Sequence, residues 1–429
     1  MQFFSLNNPT HKTSFKEAVV QGIAPDKGLY FPERIDPLPT QFFEQLSSLS
    51  HREIAFTAIK QFVADDIPDE VLTAIVSATL DFDFPVVKIE PQVATLELFH
   101  GPTMAFKDVG ARFMANCLGY FSQDQEEEVT VLVATSGDTG GAVANGFLGV
   151  PGVKVVILYP SGKVSHIQEQ QLTTLGQNIT ALEVEGTFDD CQRMVKRAFL
   201  DSELTDHKKL TSANSINVAR WLPQLFYYLF AQKQQPKGEK LIFSVPSGNF
   251  GNICAGMVAH RLGMPAEHFV AATNVNDVVP EYMRTGNYQA KRSVSTISNA
   301  MDVGDPSNFV RIQELYDTDF EKLSQSFSAY SFTDAETRVA MKELHDNTGY
   351  VADPHGAVGY LGLKKYLNQH GGRGVFLETA HPVKFLPVVE EVLGLTPDIP
   401  PQIQAVMDRK KTAVPISDYE NFKTFLLKN

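Results

Sequence analysis

From about residue 90 onward the sequence alternates between short β-branched apolar runs and stretches of helical periodicity, and this limits the fold more than any other feature. VTVLVAT (129–135) precedes a helical pattern from Thr139 to Leu148, and VKVVILYP (153–160) precedes one from Ser165 to Leu175. ITALEVEG (179–186) is followed by Phe188 to Phe199, and LIFSVPS (241–247) by Asn249 to Leu262. HFVAATN (268–274) and GVFLETA (374–380) continue the series. Runs too apolar to alternate between two faces, each followed by a helix, are what a parallel sheet covered on both sides requires. The expected class is α/β, with two open parallel-sheet α/β domains. Ahead of them, helical patterns at Thr40 to Leu49, Arg52 to Val63 and Asp69 to Leu80 follow the Gly/Pro-rich KGLYFPERIDPLP (27–39). They predict a small, mostly helical N-terminal unit over 1–90, with the two α/β domains over 91–429. Within that region the smaller domain is expected over roughly 115–230, and the larger over 91–114 plus 231–429.

Charge narrows the partners. Lys and Arg number 37 against 50 Asp and Glu, a net charge of −13 over 429 residues, which disfavours a broad phosphate-backbone interface and so nucleic acid. Cys117, Cys191 and Cys254 stand far apart, in no metal-ligand spacing, and suit a reducing, cytoplasmic setting without a metal site. No basic segment leads into an apolar one at the start, and no run approaches the ~18 apolar residues of a membrane span. The chain is expected to be soluble, a monomer or homodimer, acting on a small molecule.

Three apolar runs end in turns rich in glycine or polar residues: SGDTGG (136–141), SGNFG (247–251) and TAHP (379–382). Ligands of open α/β sheets collect at such strand ends, where glycine-turn N–H groups and a helix N-terminus favour an anion. SGNFG suits a phosphate, because Gly248 and Gly251 admit close approach while Ser247 and Asn249 add side-chain hydrogen bonds. Neither a G-x-x-x-x-G-K-[ST] nor a G-x-G-x-x-G fingerprint occurs, so neither a P-loop NTPase nor a simple dinucleotide enzyme is indicated. Asp138-Thr139-Gly140 matches the tripeptide of aspartic proteases, but those need a second copy or a symmetric dimer within an all-β fold. Lys107 follows the apolar Met104-Ala105-Phe106 and opens a helical pattern, and an amine among apolar groups has its charged form disfavoured. Such a lysine can form a Schiff base. Together with a phosphate-type loop and two further polar turns on one sheet, it describes a site for pyridoxal 5′-phosphate.

Seven ordered blocks, HGPTMAFKD (100–108), ATSGDTGGAVA (134–144), SANSIN (212–217), VPSGNFGN (245–252), AATNVNDVVP (271–280), SNAMDVGDPSNFVR (298–311) and TAHPVKF (379–385), resemble the threonine synthase family in its longer form. The resemblance runs from KGLYFP onward and implies a fold-type-II pyridoxal phosphate enzyme, of the tryptophan synthase β-like group. It implies conversion of O-phospho-L-homoserine and water to L-threonine and phosphate. By the same resemblance Lys107 is the Schiff-base lysine, Gly248, Asn249, Phe250 and Gly251 form the cofactor phosphate loop, and Thr379 faces the ring nitrogen. Asp138 falls where related enzymes have an asparagine beside the ring 3′-oxygen, and an acid there needs a protonated partner or a compensating base. Ser136 and Thr139 belong to the loop that holds the substrate carboxylate. Asn214, Ser215, Asn217, Arg220 and Lys163 are candidates for the substrate phosphate, and failing them Arg112, Ser298 and Asn299. Two alternatives remain at this level. One is a dehydratase or phospho-lyase that stops at elimination, and the other a catalytically silent amino-acid-binding protein on the same fold.

Overall fold

The computed structural model describes residues 1–123 and 127–429 and contains three sheets. A six-stranded sheet runs Phe327–Ser331, Ala266–Thr273, Leu241–Pro246, Gly374–Glu378, Val93–Glu97 and Val86–Glu90, parallel except for the last pair. A five-stranded, wholly parallel sheet runs Val414–Ile416, Ile179–Val184, Val153–Pro160, Val129–Ala134 and Lys209–Ser212. Every residue of Val129–Ala134, Leu241–Pro246 and Gly374–Glu378 is buried, as expected of strands covered on both faces. Each large apolar side chain so enclosed contributes about 1.5–3 kcal/mol.

The helical patterns appear close to their expected bounds, among them His51–Val63, Asp69–Thr79, Asp138–Gly146, His166–Thr173, Phe188–Ala198 and Gly251–Arg261. Side chains set several starts. Ser50, Ser165 and Thr187 each close a capping box with the residue three positions on, satisfying N–H groups that a helix leaves open. Two features differ from expectation. The N-terminal unit also holds a three-stranded antiparallel sheet of Phe3–Ser5, Asn8–Thr13 and Tyr30–Pro32. And the C-terminal stretch leaves the larger unit to which 231–429 was assigned. Val414–Ile416 pairs with Ile179–Val184, while Ile416, Tyr419, Phe422 and Leu426 join a core containing Leu182, Val184 and Cys191.

Candidate active site

The TAHP turn leaves strand Gly374–Glu378 and immediately pairs with the segment before Lys107. Ala380 bridges Ala105 antiparallel, Phe106 N donates to the Thr379 carbonyl at 2.8 Å, and His381 N donates to the Met104 carbonyl at 3.1 Å. Lys107 is then the first residue of the long helix Lys107–Ser122. This backbone clamp, reinforced by Tyr227 Oη donating to the Phe106 carbonyl, sets Lys107 and Thr379 on the wall of one cavity. Burial pushes the Lys107 amine down to about 8; the Asp138 charge opposes that shift, while Lys384 and Arg220 add to it. About a tenth of the amine is therefore free at pH 7, far more than for an ordinary lysine.

The SGNFG loop forms another wall. Phe250 adopts the left-handed conformation (φ 62°) directly before helix Gly251–Arg261, a strained placement for a side-chain-bearing residue and one that recurs at functional sites. A Cβ on Gly248 would lie 2.7 Å from Met301 Cα and 2.8 Å from the Ala300 carbonyl, so only glycine fits. Asn249 holds the loop from both sides: its Oδ1 accepts from Ser307 N at 2.6 Å and its Nδ2 donates to Ser215 Oγ at 2.8 Å. Gly248, Asn249, Phe250 and Gly251 all face the cavity, with the open N–H groups of a helix start behind them.

At the end of Val129–Ala134, Thr135 Oγ1 accepts from Gly137 N at 2.9 Å and Gly140 N at 2.8 Å, folding SGDTGG back on itself. Ser136 and Thr139 reach the cavity. Asp138 does not. It is buried beneath the loop, 2.7 Å from Lys384 Nζ, and accepts from Gln168 Nε2 at 3.0 Å. Burial would raise this carboxyl, but Lys384 first and Lys107 second hold it well below the usual carboxylate range. The compensating base that an acid at this position needs is thus Lys384, inside the TAHPVKF block; its partner lies 246 positions away, a distance over which no periodicity links two residues.

The SANSIN segment divides. Asn214, Ser215 and Arg220 line the cavity. Asn214 spends its amide on the Ala134 backbone, donating to its carbonyl at 2.8 Å, whereas Ser215 Oγ accepts from Asn249 and keeps its proton free to donate. Arg220 is 2 % exposed, donates through Nη1 to the Ala213 carbonyl, and leaves Nε without a partner. Asn217 is not brought to the cavity; it is fully buried, caps helix Val218–Trp221 and donates to the Val19 carbonyl at 2.9 Å. Lys163 is likewise outside, exposed on the turn after Val153–Pro160. Of the reserve set, Asn299 lines the cavity, Ser298 is enclosed against Asn274, and Arg112 is turned to the Ala78 carbonyl and Asp81.

The residues present fit a phosphorylated cofactor. Among the described residues three in the cavity carry buried polar atoms without partners, Arg220 Nε, Gln224 Oε1 and Asn299 Oδ1, and the cradle has no room for a Cβ at Gly248. A family profile described as pyridoxal-phosphate dependent enzyme matches residues 88–377, a stretch that includes Lys107 and SGNFG. Fold and cavity are those of a pyridoxal-phosphate dependent enzyme, and its cofactor is pyridoxal 5′-phosphate. Profiles described as threonine synthase N terminus and threonine synthase, C-terminal, match residues 2–80 and 356–426. Threonine synthase of Escherichia coli (strain K12) is 44 % identical over 406 residues, 94 % of either chain. The crystal structure of threonine synthase from Escherichia coli superposes over all of both chains with a TM-score of 0.94 at 42 % identity. That of PLP-bound threonine synthase from Brucella melitensis covers 99 % of this chain and 98 % of its own at 0.92 and 33 %. The chain belongs to the threonine synthase family.

Proposed function

We propose that this chain converts O-phospho-L-homoserine and water to L-threonine and phosphate. One observation carries the reading: the cavity around Lys107 offers two places for an anion, the SGNFG loop and Arg220, whose Nε has no partner among the described residues. A dehydratase of an unphosphorylated amino acid would need only the first. Full membership of the family at both termini supports the same reading over elimination alone or silent binding.

In this assignment Gly248, Asn249, Phe250 and Gly251 would hold the cofactor phosphate, Thr379 would offer its hydroxyl to the ring nitrogen, and Lys107 would bear the cofactor. When bound, pyridoxal phosphate supplies an electron sink for the carbanion formed at the substrate α-carbon. The chain does the rest. Ser136 and Thr139 receive the substrate carboxylate at the head of helix Asp138–Gly146, where the helix dipole favours an anion. Arg220 and the Ser215 hydroxyl receive the γ-phosphate and stabilise it as it leaves. Burial pushes Arg220 down only to about 10, so it stays charged at neutral pH. The Lys107 amine would serve as the general base that takes the Cα proton and as the acid that gives a proton back. Three buried, unpaired thiols, Cys117, Cys191 and Cys254, support a reducing, cytoplasmic setting. Among the described residues no helix is long and apolar enough to cross a membrane.

The test is product analysis with phosphohomoserine, together with Arg220→Gln. Threonine and phosphate are expected in equal amounts, and the variant should lose ~1.5–3 kcal/mol, roughly ten- to 150-fold in kcat/KM, with cofactor binding unchanged. Oxobutyrate and ammonia in place of threonine, or an unaffected variant, would sink the reading.

A further inference from the structure

Lys384 lies in the short turn Pro382–Phe385 after TAHP, and its side chain is 0 % exposed, against 5 % for its partner Asp138. Its ammonium is 2.7 Å from Asp138 Oδ1 and donates to the Thr103 carbonyl at 2.9 Å. The contact is made between parts of the fold. Thr103 and Lys384 follow strands of the six-stranded sheet, whereas Asp138 and its other partner Gln168 follow strands of the five-stranded one. Gly137 is shaped to this arrangement: it sits at φ 135°, and a Cβ there would stand 2.3 Å from Gln168 Cδ. A buried ion pair is a poor source of net stability, since desolvating both charges offsets most of their attraction.

The neighbour that gives the pair a task is Lys107: the Thr103 carbonyl held by Lys384 lies four residues before it in the chain, and both charges act on it, Asp138 favouring its ammonium form and Lys384 opposing it. A buried carboxylate with no other cation would settle on Lys107 and keep it protonated, unable to act as nucleophile or base. We propose that Lys384 is a positioning residue for Lys107: it claims the Asp138 carboxylate, fastens the SGDTGG loop to the TAHP side of the cavity, and keeps that carboxylate from pairing with Lys107. This rests on the reading of Lys107 as the residue that carries the cofactor. It does not require Asp138 or Lys384 to touch substrate.

The experiment measures Lys107 reactivity directly. Full-length protein stripped of cofactor is trace-labelled with isotopic acetic anhydride from pH 6 to 11, and acetylation of the peptide containing Lys107 is read by mass spectrometry. Wild type should give a midpoint near 8. Lys384→Met should lower the free-amine fraction at pH 7 about tenfold or more, since a midpoint one unit higher means tenfold less amine. Lys384→Arg should keep the wild-type profile. The double variant Asp138→Asn/Lys384→Met, which removes both charges, should restore reactivity to within about threefold of wild type. A merely structural role would disturb the single and double methionine variants alike. Unchanged reactivity in Lys384→Met overturns the proposal. If that single variant does not fold, a double variant still suppressed tenfold overturns it equally. Borohydride reduction of wild-type holoenzyme is the separate control: pyridoxyl found on another lysine would defeat the functional reading while leaving the charge arrangement around Lys107 as measured.

Discussion

Glu378 ends the strand that delivers Thr379, and its carboxyl is wholly buried. Oε1 accepts from Asp353 N at 2.7 Å, while among the described residues Oε2 has no partner and Asp353 Oδ2, another buried carboxyl oxygen, has none either. Burial first, and the neighbouring Asp353 charge second, raise the Glu378 pKa well above its ordinary 4.5. The folded chain therefore binds this proton more tightly than the unfolded one does. The resulting stability is complete below about pH 4.5 and is lost as pH rises through the folded value. Glu378→Gln is neutral at every pH, so its melting temperature should fall less than that of wild type between pH 5 and 9. Parallel melting curves for the two proteins across that range would mean that Glu378 is ionised in the fold. Residues of this kind are hard to read from sequence. Lys107 stood out because its apolar neighbours are adjacent in the chain, and Asp138 because its motif carries a tripeptide of known meaning. Glu378 sits in GVFLETA as an ordinary strand-ending acid, and the burden it bears comes first from its burial and then from Asp353, both of which only the fold creates.

At the scale of elements, the site depends on how closely the loop Asn299–Met301 and the SGNFG turn approach. Gly248→Ala would set a methyl 2.7–2.8 Å from backbone atoms of Met301 and Ala300, and backbone cannot swing aside as a flexible side chain can. The expected result is a folded protein whose affinity for pyridoxal phosphate falls at least about tenfold, ~1.4 kcal/mol, measured by equilibrium dialysis. Wild-type affinity would show that the two segments move apart freely. Six of the parallel strands and the helices after the first four of them were legible because those strands are continuous apolar runs and each helix repeats at its own period, whereas Val93–Glu97, Lys209–Ser212 and Phe327–Ser331, more polar, were not. The short pieces were not. Phe3–Ser5, Tyr30–Pro32 and Val414–Ile416 have three residues each, too few for any period, and two of the three in Val414–Ile416 are exposed at a sheet edge. Their pairing is decided by what they cover, as when Tyr419 and Phe422 carry the C-terminus onto Val184 and Cys191.

Across the whole molecule, the N-terminal unit reaches the cavity through one buried guanidinium. Arg311 is fully enclosed; its Nη2 donates to the Tyr30 carbonyl at 2.9 Å and the Ile216 carbonyl at 2.7 Å, and its Nε to Tyr30 again at 3.2 Å. Its carbon lies 4.8 Å from the Trp221 ring, which in turn stacks on Phe31 at 6.0 Å. Asn217 and Thr211 donate to the Val19 carbonyl from the same side. The residues before 32 thus form the backing of SANSIN, and Ser215 and Arg220 face the cavity from in front of it. Arg311→Met keeps the length and apolar body of the side chain but strands the Tyr30 and Ile216 carbonyls without donors. It should destabilise the chain by about 2–4 kcal/mol, in line with loss of charged hydrogen bonds and of buried-carbonyl satisfaction. It should also raise KM for phosphohomoserine several-fold while the cofactor absorbance stays intact, because Ser215 and Arg220 lose their support and SGNFG keeps most of its own. A fall in melting temperature with unchanged KM would confine the N-terminal unit to a role in stability. A loss of cofactor absorbance would mean instead that the backing extends through Asn308, whose Oδ1 accepts from Arg311 Nη1 and whose N–H donates to the Asn249 carbonyl at 3.3 Å, into the phosphate loop itself.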